Sequence, residues 1–508
     1  MTQRAVGAAL ALLSVAAAAL YVALGLLHLR CAAELDYIEG VMMDHVVRVM
    51  TGRPLYVAPS LEFVTLAYMP LYTAVCAALS ALLGPDFWVA RGVSFLSSLG
   101  IAALAGWIVR RETGSRVLPA AASGIFLMGY GIGGGGHYDV VRPDSLMLLL
   151  SLSGLAVLRF TAGAAGALTA AALLVAAFFT KQHAVWFGVA GLLHVALNDR
   201  RRLLAYGLPL VAGCAGGYAL LAAWLGPWFS FYTFDMPAHW SRLDPIKIRR
   251  YLGEGLIGTL GPLTAPVVLS LALPRAPWRG PEGIWMWAGV GAMGTGLLAT
   301  FDPSAWRHVF LPTMVFLSVL GPVSLGRLAD DWSARPGANR GRVFAAAYLL
   351  LLWQFLPLVY SLKNEVPDAA AGAARARFEA ELAAMPGPVI VLEHGFYAWR
   401  AGKGASLQII AVGDIERAPG NRLEREDPRA LERMVEPLLA GPGRPRIVTD
   451  EPMEAIGPLW ARVARAYRLE RDLGSLTEPL TPLSGHRLPP RYVYAPADAA
   501  ADTAAATP

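Results

Sequence analysis

A succession of apolar runs, each long enough or nearly long enough to cross a bilayer, constrains this chain more than any other feature. They lie at residues 5–29, 87–109, 117–133, 144–160, 163–180, 184–198, 203–225, 253–274, 282–300, 309–326 and 343–361. A helix rises about 1.5 Å per residue, so about 20 apolar residues cover the ~30 Å hydrocarbon layer. A composition of 56% hydrophobic and 16% charged residues excludes an ordinary soluble globular protein. The expected fold is an α-helical polytopic membrane protein with about eleven transmembrane helices.

The first run follows Arg4, exceeds the length of a signal-peptide core and reads as a retained signal anchor. A further run, Leu66–Gly84, contains Pro70 and is ambiguous. Charge decides its treatment. If it does not span, Arg4 and the clusters Arg110/Arg111/Arg116, Arg159, Arg200–Arg202, Arg275/Arg279 and Arg327/Arg335/Arg340/Arg342 fall on one side. That parity predicts a re-entrant or outer-leaflet Leu66–Gly84 and a cytoplasmic N-terminus in a bacterial-type inner (plasma) membrane. Asp36, Asp144, Lys181, the loops 226–252 and 301–308, and everything after Leu362 are then extracytoplasmic. The net charge of +6 sits in these short orienting clusters, which argues for membrane lipid and against nucleic acid as a partner.

Beyond Leu362 the chain becomes charged and punctuated by Pro and Gly. Short β-like runs at Pro388–Glu393, Arg446–Thr449, Tyr467–Leu469 and Tyr492–Ala495 alternate with helical patterns near 369–384, 428–439 and 452–466. The expected organisation is a transmembrane unit over 1–361, a small α/β domain outside the membrane over 362–495, and a disordered Ala/Thr-rich tail over 496–508. Cys31, Cys76 and Cys214 sit in or beside apolar segments and suggest no disulfide framework.

Two acidic clusters flank the apolar segments on the expected outer side: Glu34-Leu35-Asp36-Tyr37-Ile38-Glu39-Gly40 and His137-Tyr138-Asp139-Val140-Val141-Arg142-Pro143-Asp144. Carboxylates at the edge of hydrocarbon are costly, so each is a candidate functional site. Asp36 and Glu39 are one turn apart if helical, close enough for one to raise the other's pKa and supply a base. Solvated helix caps explain the same residues equally well. Gly133–Gly136 lacks the lysine of a phosphate loop and reads as a close-approach loop. Val41–Met50 reads as a helix on the membrane surface, with Asp44 and Arg48 on its polar face.

Cations against the positive-inside trend accompany these acids. Lys181 in Lys181-Gln182-His183 needs a counter-anion, for which a lipid phosphate serves, or it snorkels. Trp306-Arg307-His308 repeats the anomaly, and the aromatic loop 226–252 adds His239 and Arg242 as binding candidates. Carboxylates suit a base that deprotonates a hydroxyl, and cations suit a phosphate leaving group.

In order along the chain stand Asp36-x-x-Glu39-Gly40, Gly52-x-x-Leu55-Tyr56, Tyr68-x-Pro70-Leu71-Tyr72, Arg142-x-Asp144 and Arg307-x-x-x-Leu311-Pro312. This series resembles the GT-C superfamily of membrane glycosyltransferases that use polyprenyl-phosphate-linked sugars, including aminoarabinose and protein O-mannosyl transferases. The resemblance covers roughly the first 360 residues and departs where Tyr37 and Ile38 separate acids that are often adjacent in the family. It implies Asp36 as catalytic base, Asp144 as a second acid of the site and Arg307 as a ligand of the lipid phosphate.

The resulting expectation is inverting transfer of a sugar from polyprenyl phosphate to an acceptor hydroxyl of a glycan, lipid or protein on the extracytoplasmic face. The catalytic candidates are Asp36, Glu39 and Asp144. The substrate-binding candidates are Tyr68, His137, Tyr138, Arg142, Lys181, His239, Arg307 and His308. No cofactor is required; a divalent metal on Asp36, Glu39 or Asp144 is compatible with the spacing but not demanded by it. A transporter or flippase for a lipid-linked sugar would need polar groups through the bilayer, which these Ala-, Leu- and Gly-rich runs lack. A non-catalytic envelope assembly protein leaves the clustered outer charges unexplained.

Overall fold

The computed structural model describes residues 2–240, 244–272, 277–301 and 307–497. Arg242, Arg275, Trp306, most of the loop 301–308 and the tail from 498 lie outside the described residues. The chain is an integral membrane protein. Among the described residues, six helices are long and apolar enough to cross a membrane, or seven if a bent pair counts as one span. In chain order the first elements are α1 (Gln3–Arg30), α2 (Glu39–Met50), α3 (Pro70–Leu83), α4 (Phe87–Thr113), α5 (Leu118–Met128), α6 (Asp144–Phe160), α7 (Gly163–Thr180) and α8 (Val185–Asn198).

Local chemistry sets these boundaries. Asp86 caps α4 by accepting from the Phe87 amide at 2.7 Å, and Gly114 ends it in the left-handed region at φ 65°. Pro70 opens α3, where its missing N–H costs nothing, so the apolar stretch is helical only from Pro70 and not from Leu66. The 14 residues of α3 rise about 21 Å, short of a crossing on their own.

All eleven expected runs contain helix, with two differences of form. The run 117–133 yields helix only to Met128, because the glycines that follow turn the chain. The run 253–274 is not one straight helix: Pro245–Thr259 and Gly261–Ser270 meet at 90°. Gly258, Gly261 and Pro262 surround that break, and proline removes a ladder donor there. The expected surface helix exists as α2, but its polar Asp44 is covered by protein and not by solvent. Its residues through Val47 are buried, and Asp44 accepts from Gln408 Nε2 at 2.5 Å beneath the C-terminal domain.

The C-terminal region forms a four-stranded sheet, β1 (Val389–Val391), β2 (Arg446–Thr449), β3 (Tyr467–Asp472) and β4 (Tyr492–Pro496), in the order β1-β2-β4-β3. β1 and β2 pair in parallel, with Ile390 opposite Ile447, and the other pairs are antiparallel. Helix Ala371–Ala384 and the shorter helices near 430–438 and 453–464 pack around it. β4 extends through Pro496 into the stretch expected to begin the tail.

This sheet has no separate interior. One apolar cluster runs from Val41 and Met42 of α2 through Phe63 and Phe87 to Phe396 and Val493. The Phe87 and Phe396 rings meet at 5.1 Å, and Leu407 N–H donates to Leu61 O at 2.8 Å. Burying a side chain of this size stabilises by about 1.5–3 kcal/mol, so the sheet is held firmly against the loops that carry Asp36. The three cysteines are free thiols.

Candidate active site

The two acidic clusters meet. Asp36 Oδ1 accepts from Arg142 Nε at 2.9 Å and from the Ile38 amide at 3.2 Å, and forms an ion pair with Arg142 Nη2 at 2.8 Å. Oδ2 accepts from Ser484 Oγ at 2.6 Å, and His137 Nε2 stands 3.3 Å from it. His137 Nδ1 faces Gly134 O at 2.9 Å, which aims the other ring nitrogen at Asp36. Burial alone would raise the Asp36 carboxyl, but Arg142, His137 and Ser484 outweigh it and hold it well below the usual carboxylate range. Asp36 is fully buried, not the solvated interfacial carboxylate of a helix cap.

Glu39 does not act on Asp36 as a paired base. Its Oε1 accepts from Arg91 Nε at 2.8 Å and from the Val141 amide at 2.9 Å. Its Oε2 accepts from Arg91 Nη2 at 2.5 Å and from the Leu35 amide at 2.7 Å. Arg91 also donates to the carbonyls of His28, Cys31 and Ala33. This fully buried pair fastens the end of α1, the acidic loop and the second cluster to α4, so Glu39 is a positioning residue. A lone arginine inside the apolar run 87–109 was the sequence signal for it.

Asp144 begins α6, and its Oδ1 accepts from Lys181 Nζ at 2.7 Å, while Oδ2 is buried without a hydrogen-bond partner. Lys181 Nζ lies 5.5 Å from the centre of the Tyr68 ring. The counter-anion of Lys181 in this structure is therefore Asp144, as that of Arg142 is Asp36.

These groups border a cavity of about 900 Å³. Tyr68, His137, Arg142, Asp144, Lys181 and His308 line it on the membrane side, continuing into Leu298, Phe301, Val309 and Pro312. The opposite wall comes from the C-terminal domain and includes Glu393, Glu451, Trp460, His486 and Arg487. Asp36 sits behind Tyr37 and Gly485, which do line it.

Three expected contacts are not in this site. Tyr138 is fully buried, stacks on Phe126 at 4.7 Å and donates its hydroxyl to Phe126 O, because its ring points into the helix bundle. His239 turns its Nδ1 to Asp235 O and its Nε2 towards Arg425, away from the cavity. Arg307 is exposed and outside the lining; its Cβ would lie 2.6 Å from a Cβ on Gly135. Gly135 and Gly136 have φ of +60° and +79°, so the glycine loop serves close approach.

Every Asp36 and Glu39 oxygen already accepts from a protein donor, and no group of three or more His, Cys, Asp or Glu side chains among the described residues could hold a metal ion.

A second buried cluster joins the domains beside the site. His394 Nδ1 faces Glu34 Oε2 at 2.5 Å, and its Nε2 faces Asp450 Oδ2 at 3.1 Å and Leu488 O at 3.3 Å. Burial disfavours the imidazolium, but Asp450 and Glu34 outweigh it and hold His394 well above the ordinary value of 6.5. Burial also raises Glu34, against the pull of His394. A raised folded-state pKa stabilises below the unfolded value and loses that stabilisation as pH climbs through the folded value. The melting temperature should therefore fall as pH rises from 6.5 into the alkaline range. A melting temperature that is flat or rising over that interval would contradict the clasp.

No family model and no curated protein matches the sequence. Solved structures do match. Apo ArnT from Cupriavidus metallidurans is 14% identical at a TM-score of 0.58, with 94% of this chain and 97% of that one covered. The same protein bound to undecaprenyl phosphate gives 0.55 at equal coverage. An oligosaccharyltransferase of Archaeoglobus fulgidus in complex with Zn and sulfate is 11% identical at 0.55, covering 91% of this chain and 71% of that one. Coverage of more than nine-tenths of this chain at such low identity is a likeness of architecture. The fold of this protein is GT-C-like.

Proposed function

We propose that the protein is a glycosyltransferase that moves a sugar from a polyprenyl-phosphate donor to an acceptor hydroxyl, with Asp36 as general base. The observation that carries this reading is a buried carboxylate backed by Arg142 at the edge of a cavity whose membrane-side wall is cationic and then apolar. Two proteins of like fold add support: one was solved with undecaprenyl phosphate, another with a dolichol-phosphate and an inhibitory peptide.

In this mechanism the lipid enters along Leu298, Val309 and Pro312, and its phosphate meets Arg142, Lys181, His137 and His308. An acceptor hydroxyl donates to Asp36 and attacks C1 of the sugar from the face opposite the phosphate. The C1–O bond breaks, polyprenyl phosphate leaves as a phosphate monoester and the acceptor proton passes to Asp36. One displacement inverts the anomeric centre, and a leaving group this stable needs no strong acid. Arg142 has a further part. While it pairs with Asp36 the carboxylate is a weak base; drawn towards the donor phosphate, it restores basicity when substrate is present. Asp144 holds Lys181 in place for the same phosphate. Appearance of polyprenyl phosphate from polyprenyl-phosphate-linked hexoses and pentoses in proteoliposomes supplied with glycan, lipid and peptide acceptors tests this reading. A full panel with no release would sink it.

The orientation belongs to the same proposal: a bacterial-type inner membrane, the N-terminus cytoplasmic, and the cavity and C-terminal domain outside. Support comes from the arginine clusters, which share one side when α3 does not span. A cysteine placed at position 110 should react with an impermeant thiol reagent only after the membrane is opened. Labelling of intact cells at that position would reverse the topology.

A further inference from the structure

Asp36 has no room for an acceptor. Arg142 and the Ile38 amide fill Oδ1, and Ser484 fills Oδ2 with His137 beside it. With Asp36 fully buried among these neighbours, an incoming hydroxyl must displace one of them. The two Arg142 contacts are an ion pair made to Oδ1 alone, and the Ile38 contact is local backbone. Only the Ser484 contact is an alcohol O–H on a carboxylate, the same chemistry as the proposed nucleophile.

Ser484 arrives on a strap from the far end of the chain. Residues 481–491 form no regular helix or strand, and 483–484 run beside the acidic loop as a single parallel bridge. Leu483 and Ser484 N–H donate to Leu35 O at 2.8 and 3.1 Å, and Tyr37 N–H donates to Ser484 O at 3.3 Å. Gly485 follows at φ +75°, where a Cβ would lie 2.7 Å from Tyr37 Cβ, so the chain can turn off the loop only at a glycine. The cavity side of the strap is Gly485, His486 and Arg487. His137 Nε2 is buried without a hydrogen bond of its own and faces the oxygen that Ser484 holds.

Resting on the transferase reading above, we infer that Ser484 Oγ occupies the seat of the acceptor hydroxyl and that the strap 481–487 is a substrate-mimicking gate. Its withdrawal opens an acceptor subsite between Tyr37 and the C-terminal domain. No bond of the strap is made or broken. The serine proton stays on its oxygen, and the strap gives way only when an acceptor competes for the seat. With the strap closed, water cannot reach Asp36, so the donor is protected from hydrolysis until an acceptor competes for the seat.

The test uses the full-length protein in proteoliposomes. Hydrogen exchange of wild type should show the peptide 481–490 exchanging at least about tenfold faster than β4 of the same sheet, because the strap opens without unfolding the domain. Exchange of both at one slow rate would overturn the gate, and this arm needs neither a variant nor turnover. Ser484→Ala removes the mimic. It should speed strap exchange further and raise polyprenyl phosphate release from a polyprenyl-phosphate hexose with water as acceptor by about tenfold, the equivalent of one charge-assisted hydrogen bond of ~1.4 kcal/mol. Ser484→Thr, which retains the hydroxyl, should return exchange to the wild-type rate. A fall in release in Ser484→Ala would make Ser484 a positioning residue of Asp36 and refute the gate while leaving the transferase reading intact. Loss of the transferase reading has a separate signature, undiminished release in Asp36→Asn.

Discussion

Asp36→Asn is expected to reduce release of polyprenyl phosphate by about 10²- to 10⁴-fold, because the amide keeps the shape of the carboxylate but cannot take the acceptor's proton. Stability should fall as well. Asp36 is fully buried and carries the ion pair with Arg142 at 2.8 Å, so its removal leaves a buried guanidinium without its anion. Breaking such a pair costs roughly 3–5 kcal/mol. The two effects separate experimentally, since the stability loss appears as a lower melting temperature and the catalytic loss persists per folded molecule well below it. A folded variant retaining half of wild-type release would remove Asp36 as the base.

Glu39→Gln should damage the fold as much, through a second buried pair. Glu39 accepts from Arg91 Nε and Nη2 and from the amides of Leu35, Asp36 and Val141. A glutamine turns an N–H₂ towards donors and leaves the Arg91 charge uncompensated in a dry site, at a cost of roughly 3–5 kcal/mol. The melting temperature in detergent should drop by several degrees, and what activity is lost should track the folded fraction. An unchanged melting temperature would show that Arg91 finds other partners.

Much of the architecture was written in patterns that bilayers enforce. Apolar length predicted helix in each of the eleven runs, and β1, β2 and β4 fell where β-branched and aromatic residues clustered, whereas β3 is mostly charged. The breaks were harder to see, as in Pro245–Ser270, because hydropathy is blind to the ladder geometry that Gly261 and Pro262 interrupt. In the site, Asp36, Arg142, Asp144, Lys181, Tyr68, His137 and His308 came together as their order suggested. Tyr138 did not, since a tyrosine beside an aspartate reads the same whether its ring faces the cavity or the bundle. Glu39 was misread because a one-turn spacing from Asp36 ignores Arg91, 52 residues on. Ser484 carries no signal at all: its meaning comes from a partner 448 residues away.

That separation bears on how the protein is made. Translation proceeds at about 5–20 residues per second, so Asp36 leaves the ribosome on the order of half a minute or more before Ser484 exists. The apolar faces of α2 and of the loop around Phe63 likewise wait for Phe396 and Val493. During that interval the insertion machinery or a chaperone must shield a half-built apolar surface. A nascent chain arrested near residue 361 would present that surface unfinished, so quality control can tell an incomplete copy by its exposed apolar face.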